Sequence, residues 1–306
     1  MNDTALLKIM NSTQTIADHI SKQNDLMLWG AVISAISGFG IYAIVFYQPI
    51  RTKIDFAVHS YLILKKLTKL NNRNVIVMAH RESGLFGSMI NMEDIIKIEK
   101  FMRKFAKNGK GIDLILHTFG GELFASMRLA LLIKGHSDIH VYVPKYAWSG
   151  GSLATLASND IHMGKLSTLS PVDAQLGNLL KSFSAKYWKS IVAQKGKKSN
   201  DDTIAMAELS SQILDEQKQF LEELLKDNPN VNKEKFFDLF LTGAVTHGKQ
   251  ITPQVLRDLG FNVSDINSSL YDELIESSKR NGVFAKEFKD KNLADKSSKV
   301  QSERLN

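Results

Sequence analysis

From Leu26 to Ile50 the chain carries no charged residue, and the run LMLWGAVISAISGFGIYAIVFYQPI exceeds the roughly 20 residues that cross a bilayer. The pattern predicts one transmembrane helix over residues 26–48, after an N-terminal extension of residues 1–25. Trp29 near one end and Tyr42 and Tyr47 near the other supply interfacial aromatics, and Gly30, Gly38 and Gly40 are more at home in lipid than in a soluble helix. A buried core helix is the competing reading, but such helices seldom run this long without a charge. A cleaved signal peptide fits poorly, because Asp3, Asp18 and Asp25 precede the run without a basic start, so the segment is expected to stay as an anchor.

Polar positions return after Pro49. Residues 49–73 read as a basic juxtamembrane helix or linker, with Ile54, Val58, Tyr61, Leu62 and Leu64 spaced among lysines and arginines. Beyond them the period changes. Asn74–Ala79, Ile112–Leu116 and Ile139–Val143 are short runs rich in β-branched residues, each ending at a polar or glycine-rich turn, and they read as buried strands. Between them Met92–Phe105 opens at Asn91 with Asp94 three residues on, the signature of a capping box, and Leu123–Lys134 is a second apolar helix. Strand alternating with helix implies a parallel α/β core, here placed over residues 74–265. Further helices are predicted over 202–226, 233–241 and 253–259, the last with a proline in its first turn, and residues 195–200 as a polar loop. Residues 266–306 form a C-terminal extension, whose last part, 279–306, has few apolar groups and reads as a solvated basic tail.

Composition narrows the chemistry. With no cysteine there is no disulfide, thiolate metal site, iron–sulfur cluster or cysteine nucleophile. The net charge of +7 is concentrated beside the apolar run and in the tail. Arg51, Lys53, Lys65, Lys66, Lys69 and Arg73 follow the span against Lys8 and Lys22 before it, which places the main domain in the cytoplasm of a single-pass membrane protein. The basic stretches lack interleaved aromatics and any nucleic-acid motif, so no nucleic-acid partner is expected.

Two motifs carry candidate chemistry. His117-Thr118-Phe119-Gly120-Gly121 closes a predicted strand and opens a helix, where paired glycines turn sharply and present bare N–H groups to a developing oxyanion. Ala147-Trp148-Ser149-Gly150-Gly151 stands at the next strand-to-helix junction, where free N–H groups and the helix dipole also favour negative charge. Each motif alone is weak: a tight turn and an N-capping serine explain them as well. Together they lie at the carboxyl ends of neighbouring parallel strands, where α/β sheets build their sites.

These motifs also carry a resemblance. With VIVMAHRES near residue 75, LILHTFGGELF near 113, VYVPKYAWSGGSLATLASNDIHMG from 141, LSPVDAQLG from 169 and LTGAVTHGKQITPQVLRDLGFNV from 241, the chain resembles the Clp protease and signal peptide peptidase A superfamily. More closely it is similar to the serine dehydrogenase proteinases, which pair an N-terminal membrane segment with this domain. The resemblance spans about residue 48 to Val263 and implies a crotonase-like, ClpP-type α/β fold with a spiral β-sheet core and flanking helices. It implies a serine endopeptidase acting on proteins or peptides and assembling as a homo-oligomer, with no cofactor. Carried over residue by residue, the nucleophile falls on Ser149 and the oxyanion donors on Gly120, Gly121 and Gly150. Asp173 takes the position of the Clp proteases' catalytic histidine.

The general base is therefore left open. A carboxylate at its ordinary pKa accepts a serine proton poorly, whereas a desolvated lysine can serve, yet none of Lys181, Lys186, Lys189, Lys195 and Lys218 sits in a motif that singles it out. His117 and His247 are candidates for acid–base or supporting roles. His19, His59, His80, His136, His140 and His162 show no HExxH or comparable spacing, so no metal is expected. The chain departs from the family pattern at Phe119 for proline, Trp148 for methionine and Gly248 for aspartate. The last change favours a second hypothesis, a catalytically degenerate membrane scaffold. A third, acyl-thioester chemistry of the crotonase kind, needs no serine at this turn.

Overall fold

The computed structural model describes residues 3–42, 48–80, 88–178, 181–242, 245–267, 269–277 and 282–289. By compactness the chain divides into residues 1–56 and 57–306. In the first unit, helix α1 (Asp3–Tyr42) runs without a break from the N-terminal extension into the apolar run. Its stretch Asn11–Tyr42 is long and apolar enough to cross a membrane, and none of it is buried within the protein. Residues 43–47 of the predicted span lie outside the described residues.

Helix α2 (Gln48–Asn71) begins with Pro49 in its first turn, where the missing N–H costs nothing, and crosses the boundary between the units. Ile54, Val58, Tyr61 and Leu62 are exposed, whereas Ile63, Leu64 and Leu67 are buried. The second half of α2 thus belongs to the packed body. Its buried positions meet Val75, Val77, Ile115 and Leu274, while Tyr61 and Leu62 on the other face stay in solvent.

The main sheet has six strands in the order β10-β1-β2-β3-β5-β9. Strands β1 (Asn74–Ala79), β2 (Ile112–His117), β3 (Ile139–Val143), β5 (Ile161–Gly164) and β9 (Val263–Ile266) are parallel; β10 (Gly282–Lys286) runs antiparallel to β1 at the edge. Strands β1 and β2 are buried along their whole length, which is why they read as unbroken apolar runs. Helices α3 (Met92–Phe105) and α4 (Leu123–Lys134) match the predicted bounds, and Asn91 and Asp94 make the reciprocal capping bonds. The predicted helices at 202–226, 233–241 and 253–259 appear as α7 (Asp201–Leu224), α8 (Lys233–Phe240) and α9 (Pro253–Asp258).

Several features depart from the sequence expectation. Gly282–Lys286 forms the edge strand β10 rather than solvated tail, because its backbone pairs with β1 and its short apolar run Val283, Phe284 and Ala285 packs on the core; residues 290–306 lie outside the described residues. Helix α10 (Ser269–Ser277), also in the stretch read as an extension, buries Tyr271, Leu274 and Ile275 against the sheet. A hairpin of β7 (Gln175–Asn178) and β8 (Lys181–Ser184) leads into α6 (Ala185–Lys195), none of which the periodicity indicated. Residues Gly196–Lys198 of the polar loop form one 3-10 turn.

At the amino end of the sheet, Asp113 is buried in β2 and held by Arg73 Nε at 2.5 Å and Asn71 Nδ2 at 2.7 Å. Burial raises its pKa, and Asn71 and Arg73 pull against that rise. Arg73 also spans to Asp138 Oδ1 at 2.6 Å and to the carbonyl of Ile112 at 3.1 Å. Removing one partner of a buried pair strands the other charge, so Arg73→Ala is expected to cost about 3–5 kcal/mol. Urea unfolding of the detergent-solubilised protein checks this; a loss below about 1 kcal/mol, the scale of an exposed pair, would contradict it.

Candidate active site

Ser149 sits between the two-residue strand β4 (Tyr146–Ala147) and helix α5 (Gly150–Leu156), with φ +48° and ψ −116°. A side-chain-bearing residue pays for such a backbone, and strain of this kind persists only where the surroundings enforce it. Here they do. Ser149 N–H donates to Ser170 Oγ at 2.8 Å, Ser170 N–H donates to Ser152 Oγ at 2.9 Å, and Ser152 Oγ donates to the Ala147 carbonyl at 2.8 Å. Ser149 makes no side-chain capping bond to its own helix. No hydrogen bond to its hydroxyl is present among the described residues.

The Gly120-Gly121 turn lies directly against this serine. A methyl group at Gly120, whose φ is +103°, would fall 2.7 Å from Ser149 Cβ and 2.9 Å from the Trp148 carbonyl. One at Gly150 would fall 3.5 Å from the Gly121 nitrogen. The two turns are tied together by Trp148 N–H to Thr118 O at 2.9 Å and Thr118 N–H to Tyr146 O at 3.3 Å. On its far side the turn pairs with Ile90, which donates to Gly120 O and accepts from Glu122 N–H, each at 2.9 Å. That bridge engages the groups flanking Gly121 and leaves its own N–H turned away from Ile90. Among the described residues neither Gly121 N–H nor Gly150 N–H has a hydrogen-bond acceptor.

A cavity of about 490 Å³ opens over these groups. Ser149, Gly121 and Gly150 line it together with Asp173, Gln175 and His247. His247 Nδ1 lies 2.7 Å from Asp173 Oδ1, and Gln175 Nε2 donates to Asp173 Oδ2 at 2.9 Å. Asp173 is buried and His247 half-buried, so the carboxylate holds the imidazole by Nδ1 at the cavity wall. The Asp173 backbone is itself clamped. Buried Gln217 of α7 donates to Val172 O at 2.9 Å and accepts from Ala174 N–H at 3.2 Å.

Of the residues singled out in the sequence, Ser149, Gly121, Gly150, Asp173 and His247 share the cavity, with Gly120 packed behind Ser149. His117 does not line it; it is buried at the end of β2, its ring 4.2 Å from that of Tyr146. Lys186, Lys189, Lys195 and Lys218 do not line it either, and the Lys181 side chain lies outside what the structure describes. Gly248 is exposed with open space where a side chain would stand, and its neighbour His247 is the residue that reaches Asp173. The other two departures touch each other. Phe119 meets Trp148 edge-on at 5.3 Å, and both pack on Tyr146, so two bulky residues fill one space together.

Several supporting residues gave no sign of their roles in the sequence, although Ser170 and His80 lie in stretches that carry the family resemblance. Buried His80 places Nδ1 2.9 Å from Thr118 Oγ1, and that oxygen accepts from Gly120 N–H at 3.1 Å. His80 Nε2 lies 3.2 Å from Asp94 Oδ2. Asp94 was legible as a helix cap, but its second role behind the glycine turn depends on contacts between distant segments.

A family model described as a ClpP-like SDH-type serine proteinase matches residues 24–287. Two uncharacterized proteins of Methanocaldococcus jannaschii are similar in sequence. One is 34% identical over 252 residues, covering 77% of this chain and 86% of the relative. The other is 33% identical over 223 residues, covering 70% and 74%. Among solved structures, a membrane-bound stomatin-specific protease in complex with a substrate peptide superposes with a TM-score of 0.42 at 17% identity, over 66% of this chain and 84% of that one. ClpP1 from Listeria monocytogenes gives 0.42 at 12% identity, over 67% and 98%.

Proposed function

The chain belongs to the ClpP-like SDH-type serine proteinase family, and we propose that it is a membrane-anchored endopeptidase whose Ser149 forms an acyl-enzyme. One observation supports this most: a strained serine with an uncommitted hydroxyl stands beside two uncommitted backbone N–H groups, in a cavity that also holds an imidazole–carboxylate pair. In this reading Ser149 Oγ attacks the scissile carbonyl carbon, and the carbonyl oxygen takes the electron pair as an oxyanion held by Gly121 and Gly150 N–H. His247 Nε2 accepts the serine proton, with Asp173 stabilising the imidazolium through Nδ1. The proton passes to the leaving amine as the C–N bond breaks. Water then attacks the ester, gives its proton to His247 and frees the carboxylic acid, and Ser149 recovers its hydroxyl.

Asp173 stands where the Clp resemblance places a histidine, and in this reading the histidine comes instead from His247, later in the chain. Met89, Phe119, Phe124, Leu153 and Leu176 make the cavity wall largely apolar, which suits a peptide with apolar side chains. The exposed apolar helix and the basic residues from Arg51 to Arg73 support anchoring with the body on the cytoplasmic side. The protein is expected to act as a homo-oligomer.

Reaction of the full chain with a fluorophosphonate, followed by peptide mapping, tests the assignment. One adduct on the peptide carrying Ser149 is expected, and its rate should fall at least about 100-fold in His247→Ala and in Asp173→Ala, the scale of a lost general base. An adduct on another residue sinks the nucleophile assignment. The scaffold reading, favoured by Gly248 where the family pattern has aspartate, predicts no adduct at all.

A further inference from the structure

At the opposite end of the sheet from Ser149, three side chains converge that the proteolytic reading does not use. We propose that His140, Asp160 and His162 bind a divalent transition-metal ion, with Zn²⁺ the best chemical match. His140 is the second residue of β3 and His162 the second of β5, and Asp160 precedes β5 directly. The parallel register sets Val141 beside Ile161 and Tyr142 beside His162. Stepping back one residue puts Asp160 next to His140, and the alternation of side chains then sends His140, Asp160 and His162 to one face.

One donor atom from each of the three residues fits within 4.8 Å of the others. His140 Nε2 lies 3.1 Å from Asp160 Oδ2, and His162 Nε2 lies 3.0 Å from Asp160 Oδ1. Donors bound to tetrahedral zinc at about 2.0–2.1 Å stand about 3.3 Å apart, and the two imidazole-to-carboxylate distances, one to each oxygen of Asp160, come close to that spacing. His162 Nε2 is buried and makes no hydrogen bond despite its closeness to the carboxylate. That nitrogen thus lacks the hydrogen bond a buried imidazole ordinarily makes, which leaves it available to a ligand.

The surroundings agree with a bound cation. The His162 ring stacks on Tyr142 at 4.4 Å and 7°, which fixes its plane. His140 Nδ1 faces Asp113 Oδ1 at 3.7 Å, so a carboxylate stands behind the ring on the side away from Asp160, as it does behind many metal-bound imidazoles. Asp138 Oδ1 is 3.9 Å from His140 Nε2 but is engaged by Arg73. Three carboxylates against one guanidinium leave the locality negative. A hollow of about 270 Å³ adjoins His140 and Asp160, with Lys134, His136 and Asp138 also in its wall; His162 lies outside it. Two imidazoles and one carboxylate with open positions favour Zn²⁺ over Mg²⁺ or Ca²⁺, which take oxygen ligands. Such an ion would clasp β3 to β5. Sequence spacing concealed the set, because the ligands sit on two strands joined only through their register.

The test is titration of the full chain, metal-stripped and in detergent, with Zn²⁺ by calorimetry and with Co²⁺ by visible spectroscopy. One equivalent of Zn²⁺ should bind, with the Co²⁺ bands of a four- or five-coordinate nitrogen–oxygen site and a Tm that rises with Zn²⁺. His140→Ala and His162→Ala should each weaken binding at least about tenfold, the least that even a supporting partner of a metal ligand contributes. His59→Ala, which alters an exposed histidine paired with Glu273, should leave it unchanged. Binding that survives both substitutions places the ion elsewhere and overturns the proposal. So does a wild-type protein that takes up no stoichiometric Zn²⁺ or Co²⁺, an outcome that does not depend on any variant folding.

Discussion

Ser149→Ala is expected to lower kcat/KM for peptide hydrolysis by at least about 10⁴-fold while leaving the fold and peptide affinity intact. The size follows from removing the group that makes the covalent bond: what remains is binding and the oxyanion donors, which act on water far less effectively. A factor of 10⁴ corresponds to about 5.5 kcal/mol of barrier. Stability should change by less than about 1 kcal/mol, because the hydroxyl makes no hydrogen bond among the described residues and Ser149 N–H keeps its bond to Ser170. Fluorogenic peptides with apolar side chains provide the assay, and equilibrium binding of the same peptides to the variant provides the control. Hydrolysis within tenfold of wild type would remove Ser149 from the mechanism.

Gly121→Ala is expected to damage both stability and catalysis, for one steric reason. Its new methyl group would stand 2.2 Å from Ile90 O, 2.4 Å from Ile90 N and 2.7 Å from Ile90 Cα. All three are backbone atoms, so no rotamer change relieves the clash. Ile90 is held to this turn by hydrogen bonds to Gly120 and Glu122, and separating the two segments gives up both. Two lost hydrogen bonds at about 1 kcal/mol each, with overpacking of about 1–3 kcal/mol, predict a loss of about 3–5 kcal/mol. The same movement carries the Gly121 N–H away from the oxyanion position, a change that typically lowers kcat by about 10²–10³. Urea unfolding together with kcat at a temperature where the variant is folded separates the two effects. Gly150→Ala meets Ser126, its Oγ at 2.0 Å and its Cβ at 2.8 Å, a side chain rather than a backbone pairing, and should cost less stability. Gly248→Ala enters open space and should cost almost none. If all three variants unfold alike, the close approach of Gly121 to Ile90 is not what the turn requires.

Much of this protein is local in sequence and was legible there. The buried strands β1, β2 and β3 announce themselves as β-branched runs, α3 by its capping box and α4 by its apolar composition, because burial and capping act on neighbouring residues. The apolar run to which α1 belongs needs no partner to be recognised, only length and lack of charge. Ser149 and the Gly120-Gly121 turn were visible for a similar reason: each is a junction of strand and helix written in five consecutive residues.

What joins them was not visible. Asp173 and His247 are separated by 74 positions and meet at 2.7 Å only because the polypeptide returns to the same cavity. Ser170, Gln217 and His80 act through hydrogen bonds to backbone or side-chain groups far along the chain, and nothing near them in sequence marks those partners. Phe119 and Trp148 looked like two separate departures until packing brought their rings together. Local composition determined which segments form strands, helices and sharp turns, since those choices depend on backbone sterics and nearest neighbours. The tertiary fold alone decided which polar groups share a volume, because hydrogen bonds and charges act over a few ångströms of space and are indifferent to distance along the chain.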